Sequence, residues 1–148
     1  DLAWVLIRFE GGAKGAFSVG QVCAGHKNDV QLEVCGATAS MKWRQEEQNE
    51  LRIGRRDESN RILPKDPSLL DEPARRYAQL PGGHQESWAD AFCNVMRDIY
   101  GVIAAGGRAP AERPPAFATF EDGYRATCIV DAILASARLG GAWTKVSG

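Results

Sequence analysis

A chain of 148 residues is long enough for one domain that buries roughly 70% of its unfolded surface without disulfide or metal staples. Eighteen Lys and Arg against nineteen Asp and Glu leave a formal charge of -1, which gives no electrostatic footprint for nucleic acid. No run reaches the roughly 18 apolar residues of a membrane span, and the opening residues do not read as a basic, apolar, cleavable leader. Instead the chain opens at Asp1 and is strand-like by Ala3, which reads as a fragment of a longer protein. Cys23, Cys35, Cys93 and Cys128 show no C-x-x-C and no zinc spacing. Three of them lie in apolar runs, so they are expected to be small buried thiols in a reducing cytosol.

In chain order, Ala3 to Phe9 is rich in β-formers, Glu10-Gly11-Gly12 has turn chemistry, and Gly15 to Val22 alternates; this predicts a hairpin. Alternation puts Gln21 on the same face as Phe17 and Val19, where an amide needs a partner or a ligand. Ala24 to Asp29 is a polar loop. Val30 to Val34, Ala39 to Trp43 and Glu50 to Gly54 complete five strands with short connections, an antiparallel meander with one apolar face. The opposite face carries Ser18, Gln31, Glu33 and Lys42 and is free to be solvated or to meet another subunit.

From Arg55 to Pro81 the periodicity disappears and a long irregular connection is expected. Between Leu80 and Ala105, Trp88, Phe92, Val95, Ile99 and Ile103 recur at helical spacing, with Pro81-Gly82-Gly83 before and Gly106-Gly107 after. This predicts a long amphipathic helix with His84 and Glu86 in its first turn. Arg108 to Pro115 reads as a second linker. Thr119 with an acid three residues on caps a second helix that Gly140-Gly141 ends, and Ala142 to Val146 is long enough for a last strand. Strands followed by helices give an α+β class: a mainly antiparallel, open-faced sheet with helices packed on one face, within a single domain spanning residues 1–148.

The residues supply no self-sufficient active site. Neither His26 nor His84 belongs to H-E-x-x-H or a nucleophile motif, G-x-S-x-G is absent, and no G-x-G-x-x-G follows a strand, so hydrolase, metalloenzyme and dinucleotide-binding chemistry find no support. No metal ligands and no catalytic residues are assigned. What remains is a set of hydrogen-bonding side chains, Gln21, His26, Lys27, Asn28 and His84 beside Glu86, which suits a polyhydroxylated ligand. An interaction or oligomerisation domain is the competing reading.

The ordered segments FSVGQV, GHKN, QEEQNEL, PGGHQE and TFEDG resemble the C-terminal domain of the Gfo/Idh/MocA family of NAD(P)-dependent oxidoreductases, over nearly the whole chain. The resemblance implies a cytoplasmic dehydrogenase acting on a sugar, cyclitol or related polyol. NAD or NADP would be held by an N-terminal Rossmann domain that this chain lacks, as it lacks the Glu-Lys-Pro motif and the Asp and His pair of full-length members. By that reading the chain binds no cofactor and transfers no hydride alone. It supplies a wall of the substrate pocket and a homo-oligomer interface through the open sheet face. His84 becomes the leading substrate-binding residue, with Gln21, His26, Lys27 and Asn28 behind it. A non-catalytic, sheet-mediated dimerisation or sugar-binding module derived from the same fold is the alternative.

Overall fold

The computed structural model describes residues 1–107 and 114–148. In chain order its elements are β1 (Leu2–Arg8), β2 (Lys14–Gly20), β3 (Gln31–Cys35), β4 (Ala39–Arg44), β5 (Glu50–Arg55), β6 (Arg61–Pro64), α1 (Glu72–Arg75), α2 (Trp88–Ala104) and α3 (Phe120–Arg138). Two 3-10 turns, Gln45–Glu47 and Pro67–Leu69, complete them. Antiparallel sheets with helices give the α+β class expected from the element order. The chain forms two compact units, one of residues 1–25 with 115–148 and one of residues 26–114.

In the first unit β1 and β2 form the predicted hairpin, with Val5 opposite Phe17 and Trp4 opposite Ser18. Gly12, at φ 86°, supplies the left-handed residue of the connection, and its N–H donates to the Phe9 carbonyl; only glycine takes that conformation without cost. Leu2, Trp4 and Leu6 stand on the same face as Ser18 and are exposed, Trp4 by 79%. α3 begins at a reciprocal cap: Asp122 N–H donates to Thr119 Oγ1 while Thr119 N–H donates to the Asp122 carboxylate. The Thr119 hydroxyl, donating to the Asp122 carboxylate at 2.7 Å, and then the Thr119 N–H hold Asp122 below the usual aspartate range. The last strand does not form. Gly140 and Gly141 turn the chain at φ 70° and 88°. The Ala142 carbonyl is then taken by the Ser136 and Thr144 hydroxyls, and Arg8 lies over the Trp143 ring, 4.0 Å from its centroid.

In the second unit β3, β4, β5 and β6 pair in sequence order, all antiparallel. The meander is therefore divided: β2 ends at Gly20, and the next ladder starts only at Gln31. Leu32, Trp43, Leu51 and Leu63 lie in register on one face, and Glu33, Lys42, Arg52 and Ile62 on the other. The stretch after Arg55, expected to be irregular, contains β6 and the short α1. β6 is only four residues long and ends in Pro64, which an edge strand tolerates because its N–H has no ladder partner to lose; that brevity hides it from a periodicity reading.

α2 starts later than its glycines imply. Ser87 is its cap, with its N–H donating to the Asp90 carboxylate at 2.7 Å, so His84 and Glu86 precede the helix and do not form its first turn. The helix is seated by a polar edge as well. Buried Asn94 donates to the Tyr77 carbonyl at 3.0 Å, and Asp98 accepts from Tyr77 Oη at 2.7 Å. The stripe of Trp88, Phe92, Val95, Tyr100 and Ile103 is exposed, with Trp88 and Phe92 stacked at 5.5 Å. The cysteines are also not buried: all four are free thiols, Cys23, Cys35 and Cys93 exposed and Cys128 half-buried. Most of the expected linker from Arg108 to Pro115 lies outside the described residues.

Candidate functional site

Two loops of the second unit carry four of the five predicted site residues. The first runs from His26 to Val30. Its organising group is Asp29, whose side chain is only 3% exposed. The carboxylate accepts from Gln31 Nε2 at 2.8 Å and from Arg44 Nη2 at 3.4 Å, and lies 3.0 Å from His26 Nδ1. Gln31 first, then His26, with Arg44 adding charge, hold it below the ordinary aspartate range against the opposing effect of burial. Because an ionised carboxylate only accepts, His26 carries its proton on Nδ1 in this contact and keeps Nε2 as acceptor in the neutral ring. Lys27 contributes its backbone N–H to Glu46 Oε1 at 3.3 Å, leaving its ammonium exposed, and the Asn28 carbonyl accepts from Val30 N–H.

The second loop, residues 79–86, carries His84. Pro81-Gly82-Gly83-His84 is a tight turn: His84 N–H donates to the Pro81 carbonyl at 3.2 Å, and Gly83 sits at φ 82°, where glycine is the natural occupant. The imidazole is exposed, with Nδ1 3.4 Å from the Gly82 carbonyl. A carbonyl cannot donate, so this contact too keeps the neutral Nε2 free to accept a hydroxyl proton.

What holds that turn is a residue that periodicity assigned to the helix start. Glu86 is 9% exposed. Its Oε1 accepts from the N–H of Gln79 at 2.6 Å and of Leu80 at 3.1 Å, and its Oε2 lies 2.8 Å from Lys65 Nζ. The same ammonium donates to the Leu80 carbonyl at 3.0 Å. Burial, the largest single influence, pushes the carboxyl up, but Lys65 and the two backbone N–H groups together outweigh it and hold Glu86 below the ordinary glutamate value.

Both loops rest on the QEEQNE segment. Glu46 takes the Lys27 N–H, Gln48 Nε2 donates to the Glu86 carbonyl at 2.9 Å, and Asn49 Nδ2 reaches Gln85 Oε1 at 2.8 Å. An open depression of about 250 Å³ beside it is lined by Glu47, Asn49, Glu50, Arg52 and Gln85. Sequence reading passed over the roles of Glu86, Lys65 and Asn49; the one signal available was the clustering of three amides, Gln45, Gln48 and Asn49, within a strand connection, where side chains commonly bond backbone. Gln21 lies in the other unit, just past the end of β2, exposed, with its backbone N–H on the Asp1 carbonyl at 3.3 Å.

The starts of α2 and α3 are capped by the carboxylates of Asp90 and Asp122, which take the backbone N–H groups of Ser87 and Thr119. Among the described residues no three His, Cys, Asp or Glu side chains gather as a metal site would require, and no helix is long and apolar enough to cross a membrane.

Comparison with known proteins decides the family. The model described as "Oxidoreductase family, C-terminal alpha/beta domain" of Gfo/Idh/MocA proteins matches residues 1–146. The chain belongs to this family. An uncharacterized oxidoreductase of Bacillus subtilis, YfiI, is 27% identical over 112 residues, covering 76% of this chain and 28% of its own length. The structure of an oxidoreductase from Sinorhizobium meliloti superposes with a TM-score of 0.89 at 31% identity, over 98% of this chain and 41% of that one. An inositol dehydrogenase homolog from Azotobacter vinelandii, solved with NAD+, superposes with a TM-score of 0.80 at 25% identity, over 98% of this chain and 38% of that one. This Gfo/Idh/MocA domain thus spans less than half the length of each of these relatives.

Proposed function

We propose that the chain is the substrate-side, C-terminal domain of a cytoplasmic NAD(P)-dependent dehydrogenase acting on a sugar, cyclitol or related polyol. The observation that carries this reading is the braced presentation of His84: an exposed imidazole on a glycine turn, its Nδ1 turned to a carbonyl and its Nε2 open to accept from a hydroxyl. The NAD+ complex of the inositol dehydrogenase homolog supports the substrate and cofactor class. His26, Lys27 and Asn28 are secondary contacts, and Gln21, on the first unit, is a weaker one. NAD or NADP is held by a Rossmann domain in the remainder of the protein, which also carries the hydride-transfer chemistry.

Subunits associate through the open sheet face. Trp4 and Leu6 beside Ser18, all exposed, support this, since large apolar groups rimmed by polar ones mark interaction surfaces. The same face favours the second reading, a non-catalytic association module, over a free-standing sugar-binding protein. A panel of sugars, cyclitols and linear polyols assayed with the full-length enzyme by nicotinamide absorbance tests the proposal. Turnover confined to polyols with NAD or NADP is expected. Absence of turnover with all of them, in a protein that binds either cofactor, contradicts it and leaves the association module.

A further inference from the structure

The loop that presents His84 is closed at its base by charge, and its closure reaches both ends at once. Glu86 Oε1 takes the N–H groups of Gln79 and Leu80, where the loop begins, while the Glu86 backbone, where it ends, is bonded through both N–H and carbonyl to Asn49. Lys65 Nζ bridges the two ends, 2.8 Å from Glu86 Oε2 and 3.0 Å from the Leu80 carbonyl. Lys65 is itself fixed, 14% exposed at its side chain, with its N–H on the Asn49 carbonyl at 2.7 Å at the end of β6. Gly82 adds a steric stop, since a Cβ there would lie 2.4 Å from Asp66 Oδ2, and the other Asp66 oxygen is held by the N–H and hydroxyl of Ser68. The side chains of the ion pair, Lys65 and Glu86, are largely withdrawn from solvent, whereas that of His84 is exposed.

We infer that Lys65 and Glu86 are positioning residues for substrate recognition: their ion pair locks the 79–86 loop so that the His84 imidazole is held in one place before the polyol arrives. This rests on the reading of His84 as the polyol contact. A pre-set acceptor loses less freedom on binding than one on a loose glycine turn, and that difference enters ligand affinity directly. Four residues of the loop between Leu80 and Gln85 are Pro81, Gly82, Gly83 and His84, and two adjacent glycines without the clamp would leave the imidazole to sample many positions.

The test is a double-mutant cycle in the full-length enzyme, with Glu86→Gln and, as an independent route to the same lesion, Lys65→Met, each alone and combined with His84→Ala. Each single change is expected to raise the polyol KM about tenfold with kcat and the cofactor KM nearly unchanged, and to add nothing once His84 is alanine. Amide exchange at Gln79, Leu80 and residues 82–85 is expected to speed up about tenfold or more, while β4 and β5 amides keep their protection, and Lys65→Arg is expected to retain most of the affinity. Effects that add fully to those of His84→Ala, or exchange that rises uniformly across the sheet, overturn the inference and leave Glu86 a folding residue. If His84→Ala itself leaves polyol kinetics unchanged, the polyol reading of His84 falls and the inference falls with it; that outcome is distinct from additivity, which spares the reading and removes only the clamp.

Discussion

The side chain of Asn49 grips the backbone of Glu86 from both sides: Nδ2 donates to the Glu86 carbonyl at 2.9 Å and Oδ1 accepts the Glu86 N–H at 3.2 Å. A side-chain amide carries its donor and its acceptor on two adjacent atoms, as a peptide does, and here it imitates a strand neighbour. Asn49→Asp keeps the shape and the acceptor but removes the donor shared with Glu86 and Gln85. The half-buried carbonyl of Glu86 then keeps only Gln48. A loss of about 2 kcal/mol is expected, read as a lowered denaturation midpoint with an unchanged m-value.

Acid should release the same loop. The folded-state pKa of Glu86 lies below its ordinary 4.5, so the carboxylate's contribution to stability is fully present above about pH 4.5 and is lost as pH falls through the lower, folded value. Glu86→Gln is therefore expected to be less stable than the parent by about 2 kcal/mol at pH 7, with the gap closing below pH 4.5. Denaturant melts of both proteins across that range check it; a gap independent of pH would mean the charge is not what matters.

Gly82→Ala places a methyl group against Asp66, a carboxylate that cannot swing away while Ser68 holds it. The turn must move instead, so this change is expected to lower stability and weaken polyol binding together. Asp66→Ala in the same chain should restore both, because it removes the atoms that would clash. Failure of the second change to rescue the first would place the role of Gly82 elsewhere.

Much of the fold is legible in the residues because the elements that were read correctly carry their own signals: alternation in β1 to β5, paired glycines after α2 and α3, and the Thr119 and Asp122 cap. What escaped reading depends on contacts far apart in sequence. β6 is recognisable only through its ladder with β5, and the start of α2 is set by Ser87 and Asp90, while the more conspicuous glycines build the turn before it. The candidate site follows the same rule. His84 stands out as a histidine beside two glycines, but Glu86 reads as an ordinary helix-start acid until Lys65, 21 positions earlier, is seen 2.8 Å away. The exposed stripe of α2 is a third case, for periodicity shows that a face is apolar and does not show what covers it.

The proposed association through the open sheet face makes Trp4 the side chain to change. Exposed by 79% and flanked on its face by Leu2 and Leu6, it has the size and rigidity of an interface anchor, and such residues commonly carry 2 kcal/mol or more of binding. Trp4→Glu is expected to weaken self-association by about 30-fold or more, shifting the sedimentation profile toward monomer with the circular dichroism spectrum retained. An unchanged profile would remove this face as the subunit contact.

The account stands most directly on His84. Steady-state kinetics of His84→Ala in the full-length enzyme, with polyol and cofactor varied separately, are expected to show a polyol KM about tenfold higher, equivalent to about 1.4 kcal/mol of lost binding, with the cofactor KM unchanged. Polyol kinetics identical to those of the parent enzyme would contradict the account.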